Sequence, residues 1–170
     1  PLAPFRPYAS DPYIVVADGL LYWVIDAYTA ADTYAYSQQD SASGVNYIRN
    51  SVKVVVDAYD GTADFYIADS ADPLIKAYAK TFPTLFKPIE AMPQAIRQHV
   101  RYPVDMCNVQ VSVYRTYHMT DPQVFYNRED VWAIPEESNG PGSTQALEPY
   151  YVLMRLPGEQ NAEYLLILPF

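Results

Sequence analysis

Cysteine, basic side chains and long apolar runs are scarce in this chain, and each shortage excludes a class of protein. There is one cysteine, Cys107, which excludes an internal disulfide and a cysteine-rich zinc module. Lysine and arginine number 11 against 20 acidic residues, and the net charge of -9 argues against nucleic acid or an anionic membrane surface as a partner. No stretch approaches about 18 uncharged apolar residues in a row, so no segment is predicted to span a bilayer.

Recognised catalytic motifs are missing as well. The sequence contains no phosphate-binding loop, no Gly-x-Gly-x-x-Gly, no Gly-x-Ser-x-Gly and no His-Glu-x-x-His. It does contain 17 tyrosines, whose apolar ring and polar hydroxyl suit a half-exposed sheet as well as a recognition surface. The composition leaves the enzyme question open but favours a protein that is not an enzyme.

The length of 170 residues predicts one soluble domain over residues 1–170, large enough to bury about 70% of its unfolded surface without disulfides. The chain opens on Pro1 without an initiator methionine and stops at Phe170 inside an apolar run. We therefore expect it to be a fragment of a larger protein.

The stretch 52–67 predicts the hairpin around which the chain is organised. Two runs of β-branched and aromatic residues flank Asp60-Gly61, and Asp-Gly is a strong signal for a two-residue type I′ turn. That turn would fix the register, because side chains alternate between the two faces of a strand. One face is predicted to enter the core, and it carries Val54, Val56, Ala58, Ala63, Phe65 and Ile67. The opposite face is predicted to be wettable, and it carries Lys53, Val55, Asp57, Tyr59, Thr62, Asp64 and Tyr66.

A second Asp-Gly pair, Asp18-Gly19, predicts another hairpin between the runs 13–17 and 20–28. Both faces of this hairpin are apolar, so we expect it to lie centrally and to be covered on both sides, with Trp23 and Ile25 in the core. The predicted facing pairs are Val16 with Leu21, Val15 with Tyr22 and Ile14 with Trp23.

A third hairpin, with a longer connection, is predicted from the apolar runs 150–156 and 163–168. The stretch 30–50 has no strand pattern, and its end at 46–50 is predicted to form a turn of helix. The stretch 135–148 is rich in Gly, Pro, Ser, Asn and Glu and is predicted to be a loop.

Helix signals occur in the second half of the chain and just before it. Residues 69–82 are predicted to be helical, because Asp72 is a good N-cap and a proline follows it. Short helices are also predicted after Pro93 and after Asp121. The segment 103–120 fits a helical stripe and a strand alternation, and its first-turn residues favour the helix. Together these elements predict an α+β fold, in which an antiparallel sheet built from three hairpins carries two to four helices packed on one side.

Asp57 and Asp64 are the sharpest candidates for chemistry, because the predicted register places them directly opposite each other. Facing carboxylates can share a proton, bind calcium or flank a scissile bond. The calcium-loop pattern Asp-x-Asp-x-Asp-Gly is absent, so no motif supports a dedicated calcium site. The plainer alternative is two solvated side chains near a turn.

His118 and Asp121, close in sequence to Arg115 and Arg128, form the one cluster that resembles an acid–base group. A catalytic histidine needs an orienting carboxylate and a nucleophile or a metal. The alternative, which we favour, is a structural histidine that caps a helix end.

Tyr126, Arg128 and Trp132 lie in a stretch that is dense in aromatic rings and charges, and they form a predicted binding rim. The alternative is structural: Trp132 packs with Phe125 while Arg128 pairs with a neighbouring acidic residue. No cofactor is predicted beyond the calcium that the two facing carboxylates would take.

Four long strings resemble uncharacterised protein family 182, a family of large bacterial multi-spanning membrane proteins. They are DPYIVVADGLLYWVIDAYT (11–29), NYIRNSVKVVVDAYDGTADFYIAD (46–69), YRTYHMTDPQVFYNREDVWAIP (114–135) and EPYYVLMRLPGEQNAEYLLILPF (148–170). The resemblance implies a soluble region that follows an N-terminal bundle of transmembrane helices. It places this region outside the cytoplasm, tethered to the bacterial cell membrane through segments absent from this chain. It implies no activity, because the family has none established.

The leading hypothesis is an extracytoplasmic recognition or assembly module at the cell envelope, with a protein or an envelope component as its partner. The alternative is a hydrolase or glycan-processing domain that uses Asp57 and Asp64, with or without calcium. A regulatory domain that senses a ligand for the membrane part is a third hypothesis. Under the hydrolase hypothesis, the two carboxylates would lie in a concave pocket with aromatic rings beside them.

Overall fold

The structure, a computed structural model, describes residues 8–138, 140 and 142–169. The chain divides into two compact units, residues 1–106 and residues 107–170. The single domain expected from the length stays a prediction, and each unit is described by itself.

The described residues of the first unit form a five-stranded sheet in the order β1-β2-β3-β4-β5. The first four strands pair antiparallel and β5 lies parallel to β4, which makes the sheet mixed. The predicted α+β class is confirmed. The strands are β1 (Tyr13–Ala17), β2 (Leu20–Ala31), β3 (Tyr47–Asp57), β4 (Ala63–Ile67) and β5 (Phe86–Pro88).

The predicted helices are present. The structure has α1 (Pro73–Thr81), a short 3-10 turn (Ile89–Ala91), α2 (Gln94–Arg97), α3 (Val104–Tyr117) and α4 (Pro122–Asn127). The ambiguous segment 103–120 is therefore helical, as its first-turn residues favoured. Asp72 is the N-cap of α1, with its carboxylate accepting two backbone N–H groups of the first turn, as predicted.

The hairpin at Asp18-Gly19 has the predicted register, with Val16 opposite Leu21. Both turn residues have positive φ, 51° and 79°, as a type I′ turn requires. The second of these is glycine, which adopts this conformation without steric cost. The Asp-Gly signal alone was therefore enough to predict this register.

The hairpin at Asp60-Gly61 does not have the predicted register. Its loop has four residues, 58–61, so that Val56 lies opposite Ala63 instead of Phe65. The Asp57 carboxylate is the physical reason, because it accepts the backbone N–H groups of the next residues, at 2.8 and 3.3 Å, and so widens the turn. The displacement is two residues, which keeps every side chain on its predicted face.

The prediction that one face of this hairpin is wettable is wrong, because Lys53, Val55 and Tyr66 are buried. The sheet has a core on each face, since neighbouring residues of β3 point to opposite sides. One cluster contains Ala27, Val52, Val54, Phe65 and, from α1, Ile75. The other contains Val15, Ala17, Val24, Val55, Tyr66, Met92 and, from α2, Ile96. Helices therefore pack on both faces of the sheet, and not on one face alone.

Two predictions about irregular segments are also wrong. Residues 46–50 were expected to form a turn of helix, but β3 begins at Tyr47 and pairs with the end of β2. The expected loop 135–148 contains a short two-stranded pairing of β6 (Glu136–Ser138) and β7 (Thr144–Ala146). Pairing with β2 decides the first segment, and pairing of β6 with β7 decides the second, and composition alone shows neither pairing.

In the second unit, the predicted third hairpin is present as β8 (Tyr150–Met154) and β9 (Glu163–Ile167). Among the described residues, these strands form a two-stranded sheet of their own. Among the described residues, no helix has the length and apolar character needed to cross a membrane.

Candidate interaction surface

The predicted carboxylate pair does not form. Asp57 lies opposite Tyr22 of β2, and its carboxylate accepts backbone N–H groups of its own turn. Asp64 lies opposite Val55 and forms an ion pair with Lys87, at 2.7 Å. The predicted register that placed the two carboxylates face to face is therefore wrong, and calcium binding or catalysis at these residues stays a prediction. No group of three or more His, Cys, Asp or Glu residues suited to a metal ion occurs in the described part of the chain.

His118 and Asp121 have separate structural tasks. The Asp121 carboxylate caps α4 by accepting two backbone N–H groups, at 2.8 and 3.1 Å. The His118 ring stacks on Trp132, with 3.7 Å between ring centroids, and its Nδ1 lies 3.1 Å from the carbonyl oxygen of Tyr114. The carboxylate nearest to its Nε2 is that of Asp130, at 3.6 Å. These contacts match the structural alternative, and a catalytic role for either residue stays a prediction.

The three residues of the predicted binding rim differ in their surroundings. Trp132 packs on His118, and its backbone exchanges two hydrogen bonds with Arg115 of α3. Tyr126 is 86% exposed on α4, and Arg128 ends that helix in a left-handed conformation with φ 54°. Trp132 thus has a packing role, as in the structural alternative, with His118 as a partner. A ligand at this rim stays a prediction.

The sequence predicted Asp72 as a helix cap. It did not predict the buried polar cluster around the Asp72 carboxylate. The Asp72 carboxylate accepts hydrogen bonds from the hydroxyls of Thr29, Ser51 and Tyr47, at 2.6, 2.7 and 2.5 Å. Burial by itself would raise the pKa of Asp72, but these hydrogen bonds outweigh it and hold the pKa below its usual value. Burial, together with the Asp72 carboxylate, raises the pKa of Tyr47 to about 12. The cluster fastens α1 to β2 and β3.

A second buried polar group was also missed. The Lys53 ammonium contacts the Asp26 carboxylate, and both side chains are almost fully buried on the α2 face. Burial lowers the pKa of Lys53 and raises the pKa of Asp26. Lys53 also donates to the carbonyl oxygen of Arg101, at 3.2 Å. The partners are 27 positions apart, so only the pairing of β2 with β3 brings them together.

A cleft of about 290 Å³ lies beside α1 and β5. Its lining is mainly apolar, and its basic residue, Lys87, is already paired with Asp64. Binding sites usually combine an apolar wall with several convergent polar groups. We therefore assign no ligand to this cleft.

The most unusual surface of the first unit is apolar. Helix α1 covers one end of one face of the sheet. The other end of the same face, near the Asp18-Gly19 turn, is uncovered. We call this end the open apolar surface, and its members are Ile14, Val16, Leu21 and Trp23, with 52%, 65%, 39% and 38% exposure. The prediction that this hairpin is central and covered on both sides is therefore wrong. Of the two residues expected in the core, Ile25 packs partly against the α1 cluster and Trp23 remains exposed.

The open apolar surface lies at an unprotected edge of the sheet. Within the described residues, no strand pairs with the outer side of β1. Edge strands are usually short or carry lysine or proline, which discourage further pairing. The opposite edge strand, β5, has three residues and contains Lys87 and Pro88, whereas β1 contains neither charge nor proline. This difference marks β1 as the edge that can accept another strand.

The signal for this surface was present in the sequence. The run Tyr13–Ala17 is apolar at every position, which predicts either a strand covered on both faces or a strand with an exposed apolar face. The sequence prediction was the first option, because both faces of the hairpin are apolar.

The chain matches the model of the Uncharacterised protein family (UPF0182) over residues 1–170. A UPF0182 protein of Methanospirillum hungatei JF-1 is 53% identical over 174 residues, which cover 99% of this chain and 19% of the relative. UPF0182 proteins of Desulforamulus reducens and Geobacter sulfurreducens are each 54% identical over 170 residues, covering 99% of this chain and 18% of the relative. The chain therefore spans about a fifth of the length of these curated relatives. No solved structure matches it.

Proposed function

Because the chain belongs to the uncharacterised protein family UPF0182, we propose that it is an extracytoplasmic module of a larger protein of the cell membrane. Its role is recognition or assembly at the cell envelope, and it works by binding another polypeptide, not by catalysis. The observation that carries this proposal is the open apolar surface on the unpaired side of β1.

The length of the relatives supports a module within a larger protein. They are about five times as long as this chain, so the remaining four-fifths of such a protein can hold membrane-spanning segments. The resemblance of the four long strings to a family of multi-spanning membrane proteins supports a place outside the cytoplasm. The module would be tethered through segments that this chain does not contain.

The surface chemistry supports binding. Large contiguous patches of exposed apolar side chains are rare on soluble monomeric proteins. Where they occur, they usually mark contact sites. Edge strands without protective charges add a row of free backbone donors and acceptors. Three of the four residues considered for catalysis have structural contacts: Asp57 caps a turn, Asp64 pairs with Lys87, and Asp121 caps α4. No observation favours the hydrolase alternative over binding.

Cysteine labelling of the full-length protein in intact cells tests both parts of the proposal. With Cys107 and any other native cysteines replaced, Tyr59→Cys provides an exposed position in the loop between β3 and β4. Val16→Cys provides a position on the open apolar surface, and Val15→Cys is the buried control. A membrane-impermeant maleimide should label Tyr59→Cys without permeabilisation. It should label Val16→Cys in the isolated chain but poorly in cells, where the surface is covered.

Two results would overturn the proposal separately. Labelling of Tyr59→Cys only after permeabilisation would contradict the extracytoplasmic location. Equal labelling of Val16→Cys and Tyr59→Cys in cells would contradict a covered surface, and with it the binding role.

A further inference from the structure

We infer that the open apolar surface takes one kind of occupant: an extended polypeptide segment, apolar at alternate positions and flanked by lysine or arginine, that adds to the sheet as a further strand beside β1. This inference rests on the proposed function and names the partner chemistry and the binding geometry.

The register of the first hairpin determines which backbone groups are available. A two-residue turn makes its flanking residues, Ala17 and Leu20, a hydrogen-bonded pair. Hydrogen-bonded and non-hydrogen-bonded pairs alternate along an antiparallel ladder, so Ile14 and Val16 belong to non-hydrogen-bonded pairs with β2. Their N–H and C=O groups consequently point away from β2, toward the open edge. An added strand would exchange hydrogen bonds with these groups.

The same two residues supply the side-chain contacts. Ile14 and Val16 are exposed, whereas the intervening Val15 and the following Ala17 are buried on the other face. A strand that pairs with β1 would place alternate side chains beside Ile14 and Val16, which favours apolar residues at those positions. β1 has five residues, so the complementary segment extends for about 17 Å.

The charges at the turn end of the surface determine one flank of the partner. The loop 58–61 lies beside the first hairpin, since the N–H of Ala58 donates to the carbonyl oxygen of Leu21 at 3.1 Å. This brings acidic residues of both turns to the same end of the sheet. The two turns and the strand ends beside them, 16–21 and 56–63, contain no lysine or arginine, whereas they contain Asp18, Asp57 and Asp60. A basic residue next to the apolar segment would complement this end.

The charge also argues against a second copy of the chain as the occupant. Each copy has a net charge of -9, so two copies joined at their β1 edges would repel each other. Like charges across an interface disfavour association. A separate basic segment removes that repulsion.

A peptide-binding experiment on the isotope-labelled chain tests the inference. The probe is a short synthetic peptide of alternating valine and threonine with lysines at both ends. One matched peptide has glutamates in place of the lysines, and another keeps the lysines but has prolines in place of the threonines. Binding is followed by titration, with the amide resonances of Ile14 and Val16 as the reporters of position.

The lysine-flanked peptide should shift the amide resonances of Ile14 and Val16 and bind at least about tenfold more tightly than the glutamate-flanked peptide. The proline-containing peptide has the same charge but fewer backbone donors, and should lose most of the binding. Val16→Lys should weaken binding about tenfold. Leu153→Lys is the control, because it adds the same charge at an exposed apolar strand position in the other unit, and it should have no effect.

Several results would overturn the inference. They are equal affinity for all three peptides, resonance shifts elsewhere on the chain, and equal effects of Val16→Lys and Leu153→Lys. A dimer of the chain that Val16→Lys dissociates would assign the surface to a second copy instead. None of these results would change the cysteine-labelling results expected in cells. Failure of this inference is therefore distinct from failure of the proposed function.

Discussion

One face of the five-stranded sheet is apolar at both ends but is covered at only one of them. Toward α1, Val52 and Val54 are buried against Ile75. Toward the Asp18-Gly19 turn, Ile14 and Val16 are more than half exposed. An apolar strand face thus indicates a need for cover but does not indicate what provides it. At one end the cover is a helix of the same chain, and at the other we assign to a partner strand the contacts that shield Ile14 and Val16 from the side.

The lengths of the elements explain why α1 leaves part of the face open. Its 9 residues extend for about 14 Å, at 1.5 Å per residue. The 12 residues of β2 extend for about 40 Å. The buried Asp72 cluster holds the start of α1 against β2 and β3, so the helix has a fixed position over the covered end.

The largest effect is expected inside the covered part of the sheet, at the buried ion pair. Lys53→Met removes one partner and leaves the Asp26 carboxylate buried, which should lower the free energy of unfolding by about 3–5 kcal/mol. Lys87→Met is the matched control, because its ion pair with Asp64 is half exposed, and should cost less than about 1 kcal/mol. Urea denaturation followed by circular dichroism measures both. Equal losses of stability in the two variants would contradict the claim that burial makes the Lys53–Asp26 pair the more important of the two.

The next largest loss of stability is expected from truncation of a buried side chain of α1. Ile75→Ala removes a fully buried side chain, and the lost contacts and the cavity should lower the free energy of unfolding by about 2–5 kcal/mol. The same denaturation experiment measures it. A loss below about 1 kcal/mol would mean that α1 does not cover this end of the face.

A smaller, pH-dependent effect is expected at Asp72. Asp72→Asn keeps the shape but loses the charge that accepts the three hydroxyl hydrogen bonds, at a cost of about 1.5–3 kcal/mol at neutral pH. Asp121→Asn, at the more exposed cap of α4, is the control and should cost less.

The sign of the pH dependence follows from the lowered pKa of Asp72. Folding favours the charged carboxylate, so its stabilisation is fully present above the unfolded value of 3.8 and is lost as the pH falls through the lower folded value. The difference between the wild type and Asp72→Asn should therefore shrink below about pH 3.8. A difference that stays constant or grows on acidification would contradict the hydrogen-bonded carboxylate.

The smallest effect on stability is expected at the open end. Val16→Ala removes methyl groups from an exposed position and should change the free energy of unfolding by no more than about 0.5 kcal/mol. Val16 lies at one end of the sheet face, and Ile75 packs on the other end of the same face. The two truncations therefore compare the two ends directly. A loss at Val16 as large as that at Ile75 would show that the open apolar surface is covered in the isolated chain.

The two Asp-Gly hairpins show how much of this fold local sequence could predict. At Asp18-Gly19 both residues have the positive φ of a type I′ turn, and the register follows from the dipeptide. At Asp60-Gly61 the Asp57 carboxylate binds backbone N–H groups of the turn, and the loop becomes wider by two residues. The faces were still predicted correctly, because a displacement by two residues preserves the alternation.

The candidate site was less predictable, because it depends on what packs against each strand. The pattern of Lys53 and Val55 suggested a wet face, whereas Met92 and Ile96, from a distant segment, bury it. The apolar pattern of β1 suggested a covered strand, whereas it lies at an edge. Strand order and cover are tertiary features, and a local sequence pattern does not contain them.

Backbone amide exchange in the isolated chain tests the central claim most directly, because it reports each hydrogen bond of β1 separately. The amide of Val15 bonds to β2 and should be protected, as should that of Val24 in the middle of the sheet. The amides of Ile14 and Val16 should exchange much faster, and should become protected when the lysine-flanked peptide is added. Strong protection of Ile14 and Val16 in the chain alone would show that this edge is already paired, and would contradict the account.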